Sequence, residues 1–400
     1  METTLQKRCS QFGLVVLILV CFRTTVEILF FKLAADLIVV SILMLFPVFL
    51  MLLFKRQMHG RKVLVLTYVI YCILAFLITP LSSEYVGYFG GFIGLTNLVF
   101  FIVLWFVLLS DRDISLNIQK IGRVILIIGS INAFGAVIQS TISVDLFGLA
   151  NHGVYTNELV LENENVNVRA VSFIASPQSL ALFLAFCFCF SFIYEWSSST
   201  LKFLVRGVVF YAGVLTVSKV FFVFIFFYVF LSYLSMRGIA KLFFSVVALF
   251  VGALIFKEQL GRVFEIFFFL GNIDSYSAFK IWVDSFIYAI GFPEVIFGHG
   301  VGVFSRGSQS ILNYTLIHGS TESFFIQILA EIGVLGLLLL FTLIFKSLKL
   351  YYYYNRNLMG VMGAFVLVGF FTPALYGYTI GILFYFILLL PLISNKSSLK

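Results

Sequence analysis

Long apolar runs separated by short polar or charged stretches repeat along almost the whole chain. Most runs are close to the about 20 residues that an α-helix needs to cross the hydrocarbon of a membrane, so the pattern predicts about twelve helices and an all-α fold. The predicted helices lie near 12–31, 33–54, 63–81, 88–109, 122–142, 173–194, 203–218, 220–236, 240–256, 322–345, 358–374 and 377–394.

The composition assigns these helices to a membrane. The chain is 62% hydrophobic with a mean hydropathy of +1.10, and only 11% of its residues are charged. Soluble domains carry about 25% charged residues. A soluble fold of 400 residues could not hide this much apolar surface. We therefore expect a polytopic integral membrane protein with a single transmembrane domain over 1–400.

The basic residues predict the orientation of the chain. With the N-terminus in the cytoplasm, 18 of the 26 Lys and Arg residues fall at the cytoplasmic side, as the positive-inside rule requires. Both termini are then cytoplasmic. The net charge of +8 reflects this orientation, and the basic residues are dispersed over many short loops, so we do not expect nucleic-acid binding.

Two predicted external segments are long, 143–172 and 257–321. Loops of that length without secondary structure are uncommon and often functional, so we expect the chemistry to face the non-cytoplasmic side. Within the second segment, Ala278–Ile290 has the spacing of an amphipathic helix along the membrane surface or against the bundle. Gly298–Gly302 predicts a flexible turn. The apolar stripe of the predicted helix contains Phe279, Trp282, Val283, Phe286 and Ile290.

The stretch from His318 to Gly336 runs from a polar entrance into an apolar helix. His318 and Glu322 are four residues apart, so they would share one face if the entrance were already helical. Glu331 lies inside the apolar run, where a carboxylate is expected to face protein or water rather than lipid. Gly333 and Gly336 would let another helix approach closely.

Several motifs are absent from the sequence. It has no Asp-x-Asp, no spaced His/Cys cluster, no P-loop and no G-x-S-x-G elbow. The five cysteines lie in or beside predicted helices, which argues against disulfides and thiolate-bound metal. We therefore expect no metal and no cofactor.

The run Glu331-Ile332-Gly333-Val334-Leu335-Gly336 resembles the E-x-G-x-x-G helix of the bacterial O-antigen polymerase and O-antigen ligase family. Other local matches follow in the family's order. They are Arg169 before Pro177, Ser218-Lys219 where the family has Ser-Arg, Lys280 before Trp282, and Gly298–Phe304 before Arg306.

The resemblance implies a metal-independent membrane glycosyltransferase with an all-helical, GT-C-like fold. Its donor would be an undecaprenyl-diphosphate-linked glycan at the periplasmic face of the bacterial inner membrane, and a chain-length regulator protein would be a partner. Lys219, Lys280 and Arg169 would stabilise charge on the leaving diphosphate. We expect Arg306 to be a solvated charge in the external loop.

The resemblance also supplies candidates for the proton acceptor. The first is His318, because an unperturbed histidine side chain has a pKa of about 6.5, which suits general base catalysis near neutrality. Glu322 could act as the base or cap the following helix. Glu331 is half a turn out of phase with Glu322, which favours a packing or hydrogen-bonding role.

Three functions remain open on sequence alone. Thr321-Glu322-Ser323, and Lys in place of Arg at position 219, favour a polymerase, whereas His318 favours a ligase that transfers polysaccharide to lipid A-core. A polysaccharide transporter would instead show ionisable residues at mid-membrane and broken helices in paired positions.

Overall fold

The computed structural model describes residues 60–78, 91, 94–109, 114–141, 170–174, 176–234, 277–291, 294–303, 321 and 323–393. These residues are 86% helical and contain no strand, so the all-α prediction is confirmed for this part of the chain. Every predicted helix that falls there overlaps an observed one. The predicted helices 12–31, 33–54 and 240–256 lie outside the described residues.

The described helices are numbered in chain order. A π-helical turn, Thr96–Phe100, leads into α2, and 3₁₀ turns at Ser172–Ile174 and Pro373–Tyr376 precede α4 and α11. By length and composition, α9 and the Ile121–Thr141 part of α3 could each cross a membrane. The helices are α1 Gly60–Ile78, α2 Phe101–Leu109, α3 Ile114–Thr141, α4 Pro177–Phe190, α5 Ser199–Leu215, α6 Lys219–Leu234, α7 Ser277–Ala289, α8 Glu294–Phe297, α9 Phe324–Tyr354, α10 Arg356–Gly369 and α11 Tyr378–Ile393.

Helix α11 is the buried centre of the bundle, with α1, α2, α4, α9 and α10 around it. Its last turn contains Pro391, which has no N–H and therefore leaves the Ile387 carbonyl without its helical donor. The Tyr351 hydroxyl of α9 donates to that carbonyl at 2.7 Å. The neighbouring Ser347 hydroxyl donates to the Leu388 carbonyl at 2.6 Å. Side chains of α9 thus compensate for the proline.

We expect Tyr351→Phe to destabilise the protein by about 1–3 kcal/mol, because it leaves a buried carbonyl unsatisfied. The measurement is denaturant unfolding of the purified protein in detergent. Tyr353→Phe is the matched control, because Tyr353 is 68% exposed two residues along the same helix. Equal losses in the two variants would contradict this role.

Helices α6 and α10 pack antiparallel and very close together. Near the start of α10, a Cβ added at Gly360 would lie 2.9 Å from the Tyr228 carbonyl of α6. Further along, the rings of Phe365 and Phe224 are 4.9 Å apart. The end of α10 therefore lies beside the start of α6.

Several helix ends meet at one end of the bundle. The Ala170 N–H donates to the Leu215 carbonyl at 3.1 Å, which joins the entry to α4 to the end of α5. The Phe324 N–H donates to the Thr372 carbonyl at 3.1 Å, which joins the start of α9 to the end of α10. We call this end of the bundle, formed by residues 170–174, 216–219, 321, 323–324 and 369–376, the site end.

Helix α9 is not continuous, contrary to the sequence prediction. Gly333 has φ 68° and ψ −176°, which divides α9 into two helical segments. The short helix α8 packs against this break, and a Cβ added at Gly333 would lie 2.7 Å from the Gly298 nitrogen. The glycine therefore admits a loop backbone rather than a neighbouring long helix.

Helix α7 matches the predicted amphipathic helix in its bounds, and among its described side chains the buried ones are small. The buried positions include Ser285 and Ala289, and α7 packs on the first turns of α9. Phe286 and Ile290 of the predicted apolar stripe are 38% and 44% exposed. Among the described side chains of α7, small ones thus mediate the close contact with the bundle, whereas Phe279 and Trp282 have no described side-chain position.

Candidate functional site

Lys219 is the first residue of α6, directly after the turn Thr216–Ser218. The turn is tight, because the Thr216 hydroxyl donates to the Gly213 carbonyl at 2.7 Å and the Phe221 ring packs directly on Gly213. A cation in the first turn of a helix opposes the helix dipole. The ammonium group and the N–H groups of that turn together create a positive end that favours an anion.

Backbone strain marks the turn before Lys219. Val217 has φ 47°, which is a genuine outlier for a β-branched residue. Among the described residues, the other non-glycine residue with positive φ is Ser172, also at 47°. Conformations of this kind cost about 1–3 kcal/mol each and cluster at functional sites.

The two strained residues lie on segments that touch. Ala170 donates its N–H to the Leu215 carbonyl, two residues before Val217. The Val171 and Ser172 N–H groups both donate to the Gln139 side-chain carbonyl, at 2.9 Å and 3.0 Å. This arrangement holds the chain that follows Arg169 against the turn that precedes Lys219.

Gln139 is a positioning residue that we did not identify from the sequence. It is 1% exposed near the end of α3, and its partners are more than thirty positions further along the chain. The sequence feature that could have identified Gln139 is its amide side chain inside an apolar run, because polar groups in such a run need hydrogen-bond partners.

The glycine-rich segment after α8 forms a turn, as predicted, and is held against the bundle. The His299 N–H donates to the Ala330 carbonyl at 2.6 Å, beside the break in α9. A Cβ added at Gly94 would lie 2.5 Å from the nitrogen of Gly302, so the two backbones are in close contact. The segment is thus clamped between two backbones.

His299 has a defined orientation in this segment. Its ring stacks on Tyr288 of α7 with centroids 4.1 Å apart, and Nε2 lies 2.9 Å from the Tyr288 carbonyl. Because a carbonyl only accepts, Nε2 carries the hydrogen in this contact. The ring therefore ties the glycine-rich segment to α7, a role for His299 that the sequence did not indicate.

Glu331 lies in a hydrogen-bonded network inside the bundle and is 0% exposed. The Gln327 amide donates to its Oε1 at 3.1 Å, and the Tyr376 hydroxyl makes a short contact with its Oε2. The same hydroxyl lies 3.3 Å from the Gly94 carbonyl. Tyr71 donates to the Ile332 carbonyl at 2.9 Å, next to the break. Glu331 is thus a hydrogen-bonding residue of the interior.

The polar entrance to α9 differs from the predicted one. Ser323 is extended, and its hydroxyl accepts from the Ile326 N–H at 3.5 Å, so Ser323 rather than Glu322 is the N-cap. Thr321 is also non-helical, and its hydroxyl donates to the Ser323 carbonyl at 2.9 Å. The argument that His318 and Glu322 share a helical face therefore does not hold, because α9 begins only at Phe324.

Of the remaining predicted site residues, the structure places one and leaves four undescribed. Lys280 lies in the first turn of α7. Within the described ranges, no group of three or more His, Cys, Asp or Glu residues could hold a metal ion. Arg169, Arg306, His318 and Glu322 lie outside the described residues.

The comparisons with known proteins leave the family open. No protein-family model matches the chain, and a search of curated proteins returns no significant match. Function therefore has to be argued from the residues of the site end.

Proposed function

We propose that the chain is an O-antigen polymerase, or the corresponding polymerase for capsule or exopolysaccharide. It would be an integral glycosyltransferase of the bacterial inner membrane that joins undecaprenyl-diphosphate-linked oligosaccharide units at the periplasmic face. The observation that carries the proposal is the pair of strained residues, Ser172 and Val217, on touching segments beside Arg169 and Lys219. A strained backbone that presents cations suits the binding of a diphosphate.

The pattern of exposed residues supports the membrane part of the proposal. Polar residues such as Asn132 and Gln327 face the interior, whereas large apolar side chains point outward. Exposed apolar surface of this extent indicates contact with lipid or protein. Examples on four helices are Leu77 at 65% exposure, Phe134 at 63%, Phe203 at 70% and Phe345 at 68%, and Phe370 in the turn after α10 is 38% exposed.

The proposed reaction is glycosyl transfer with the lipid diphosphate as leaving group. The acceptor hydroxyl attacks the anomeric carbon, and the bond from that carbon to the diphosphate oxygen breaks with its electron pair on the oxygen. Lys219, with Lys280 and Arg169, would stabilise the developing negative charge. His318 or Glu322 would take the proton from the acceptor hydroxyl.

The experiment is the lipopolysaccharide profile of a deletion strain with and without the gene supplied in trans. We expect single-repeat lipopolysaccharide in the deletion strain and a restored ladder after complementation. Long polymer that stays on the carrier lipid would identify a ligase instead. A ladder unchanged by the deletion would contradict both.

A transporter of lipid-linked units is the second candidate, because α9 is broken at Gly333 and carries the buried carboxylate of Glu331 beside the break. Transporters use such breaks as binding sites. The same deletion strain separates this function from the polymerase, because a transporter defect would leave untransported units at the cytoplasmic face.

A further inference from the structure

The segment from α7 to Val303 belongs to a region that the sequence places outside the membrane. We propose that it is a re-entrant element, and that its exposed apolar residues contact the acyl chains of the outer leaflet. This inference rests on the membrane placement in the proposed function, but not on the polymerase activity. The residues concerned, called the lipid patch, are Phe286, Ile287, Ile290, Ile296 and Phe297.

The first argument is depth. Gly298 contacts α9 at Gly333. A Cβ added at Gly298 would lie 2.6 Å from the Ile332 nitrogen. Gly333 is nine residues beyond Phe324, the first residue of α9. At 1.5 Å per residue the contact lies roughly 14 Å along the helix from the site end. A loop that reaches this far would pass well into a hydrocarbon layer about 30 Å thick.

The second argument is the continuity of the apolar surface. Immediately after Gly333, α9 exposes Leu335 at 40% and, one turn later, Leu338 at 57%. The carbonyl of Ile296 packs directly on Gly333, and Ile296 and Phe297 are 37% and 56% exposed. The lipid patch therefore extends the outward face of a helix that is long and apolar enough to cross a membrane.

The third argument is the pairing of backbone groups. Irregular backbone is tolerated at membrane depth only where protein satisfies its polar groups. The Val295 N–H donates to the Gly291 carbonyl at 2.8 Å, and the His299 N–H donates to the Ala330 carbonyl. The element contains three formally charged residues, Lys280, Asp284 and Glu294, and the first two precede the lipid patch. From Ser285 to Val303, where the lipid patch lies, Glu294 is the one formally charged residue, so little in that part demands water.

Spin labels on the full-length protein in phospholipid vesicles test the inference. Single labels are placed at Ile287→Cys and Phe297→Cys, with Cys9 and Cys21 replaced by Ser, while the other three cysteines are buried. We expect both labels to collide with dissolved oxygen more often than with a water-soluble nickel chelate. Leu338→Cys is the lipid control, and Ser197→Cys in the exposed turn after α4 is the water control.

The controls separate the possible failures. If the label at Leu338→Cys collides mainly with oxygen while both patch labels collide mainly with the nickel chelate, the inference is wrong and the membrane placement stands. If all three meet nickel, the membrane placement fails as well. Patch labels shielded from both reagents would mean that protein covers the patch, which also overturns the inference. The two labels are on separate helices, so a label that meets nickel overturns the inference for its own helix, and one variant still tests the inference if the other fails to fold.

Discussion

Replacing Lys219 with alanine should slow polymer growth by about 10²–10³-fold, the usual loss when one group that stabilises transition-state charge is removed. Lys219 begins α6 at the site end, where its charge opposes the helix dipole. The helix dipole does not favour a cation at that position, and Val217, two residues earlier, is strained. The variant should therefore lose activity while its unfolding transition and membrane level remain near those of the wild type.

Two companion variants sharpen this prediction. Lys219→Arg should retain activity, because it keeps the charge and offers more donors to a diphosphate. Lys349→Ala removes an exposed lysine near the C-terminal end of α9, away from the site end, and should leave activity unchanged. The measurement is turnover of purified lipid-linked repeat units, together with surface polymer length. Wild-type turnover in Lys219→Ala would remove this residue from the site.

Hydrophobic runs were sufficient to predict where most of the described helices lie, apart from α8 and the break in α9, and they left position 219 between two runs. Each run needs only its own residues to become a helix, since burial and backbone hydrogen bonding act locally. The same holds for α7, whose bounds followed from its spacing. The sequence left open whether the apolar stripe of α7 faces the membrane surface or the bundle, and the contact with the bundle uses small residues, Ser285 and Ala289, as close packing between apolar helices does.

The break in α9 could not be predicted for a different reason. Glycine at position 333 is compatible with a continuous helix that a neighbour approaches closely, which is the interpretation the sequence favours. The observed conformation depends on a partner segment more than thirty residues away, around Gly298. Gln139 is a similar case, because its amide has a function only once the chain after Arg169 lies against it.

The conformation of Gly333 makes it a position where a single methyl group should be strongly damaging. Its φ of 68° and ψ of −176° lie in a region that is essentially restricted to glycine. A Cβ would also collide with the Ile296 carbonyl and lie 2.7 Å from the Gly298 nitrogen, and backbone atoms cannot rotate away as a side chain can. We expect Gly333→Ala to lower the free energy of unfolding by about 3–5 kcal/mol, from backbone strain and overpacking together.

Gly207→Ala is the matched control for this prediction. Gly207 is helical, and a Cβ there would meet no atom within 4 Å, so alanine should be neutral or stabilise α5 by up to about 1 kcal/mol. Unfolding of both variants in detergent gives the comparison, and the yield of folded protein gives a second readout if Gly333→Ala cannot be purified. If the two alanine variants behaved alike, Gly333 would not adopt the glycine-only conformation, and the docking of α8 into the break in α9 would have to be abandoned.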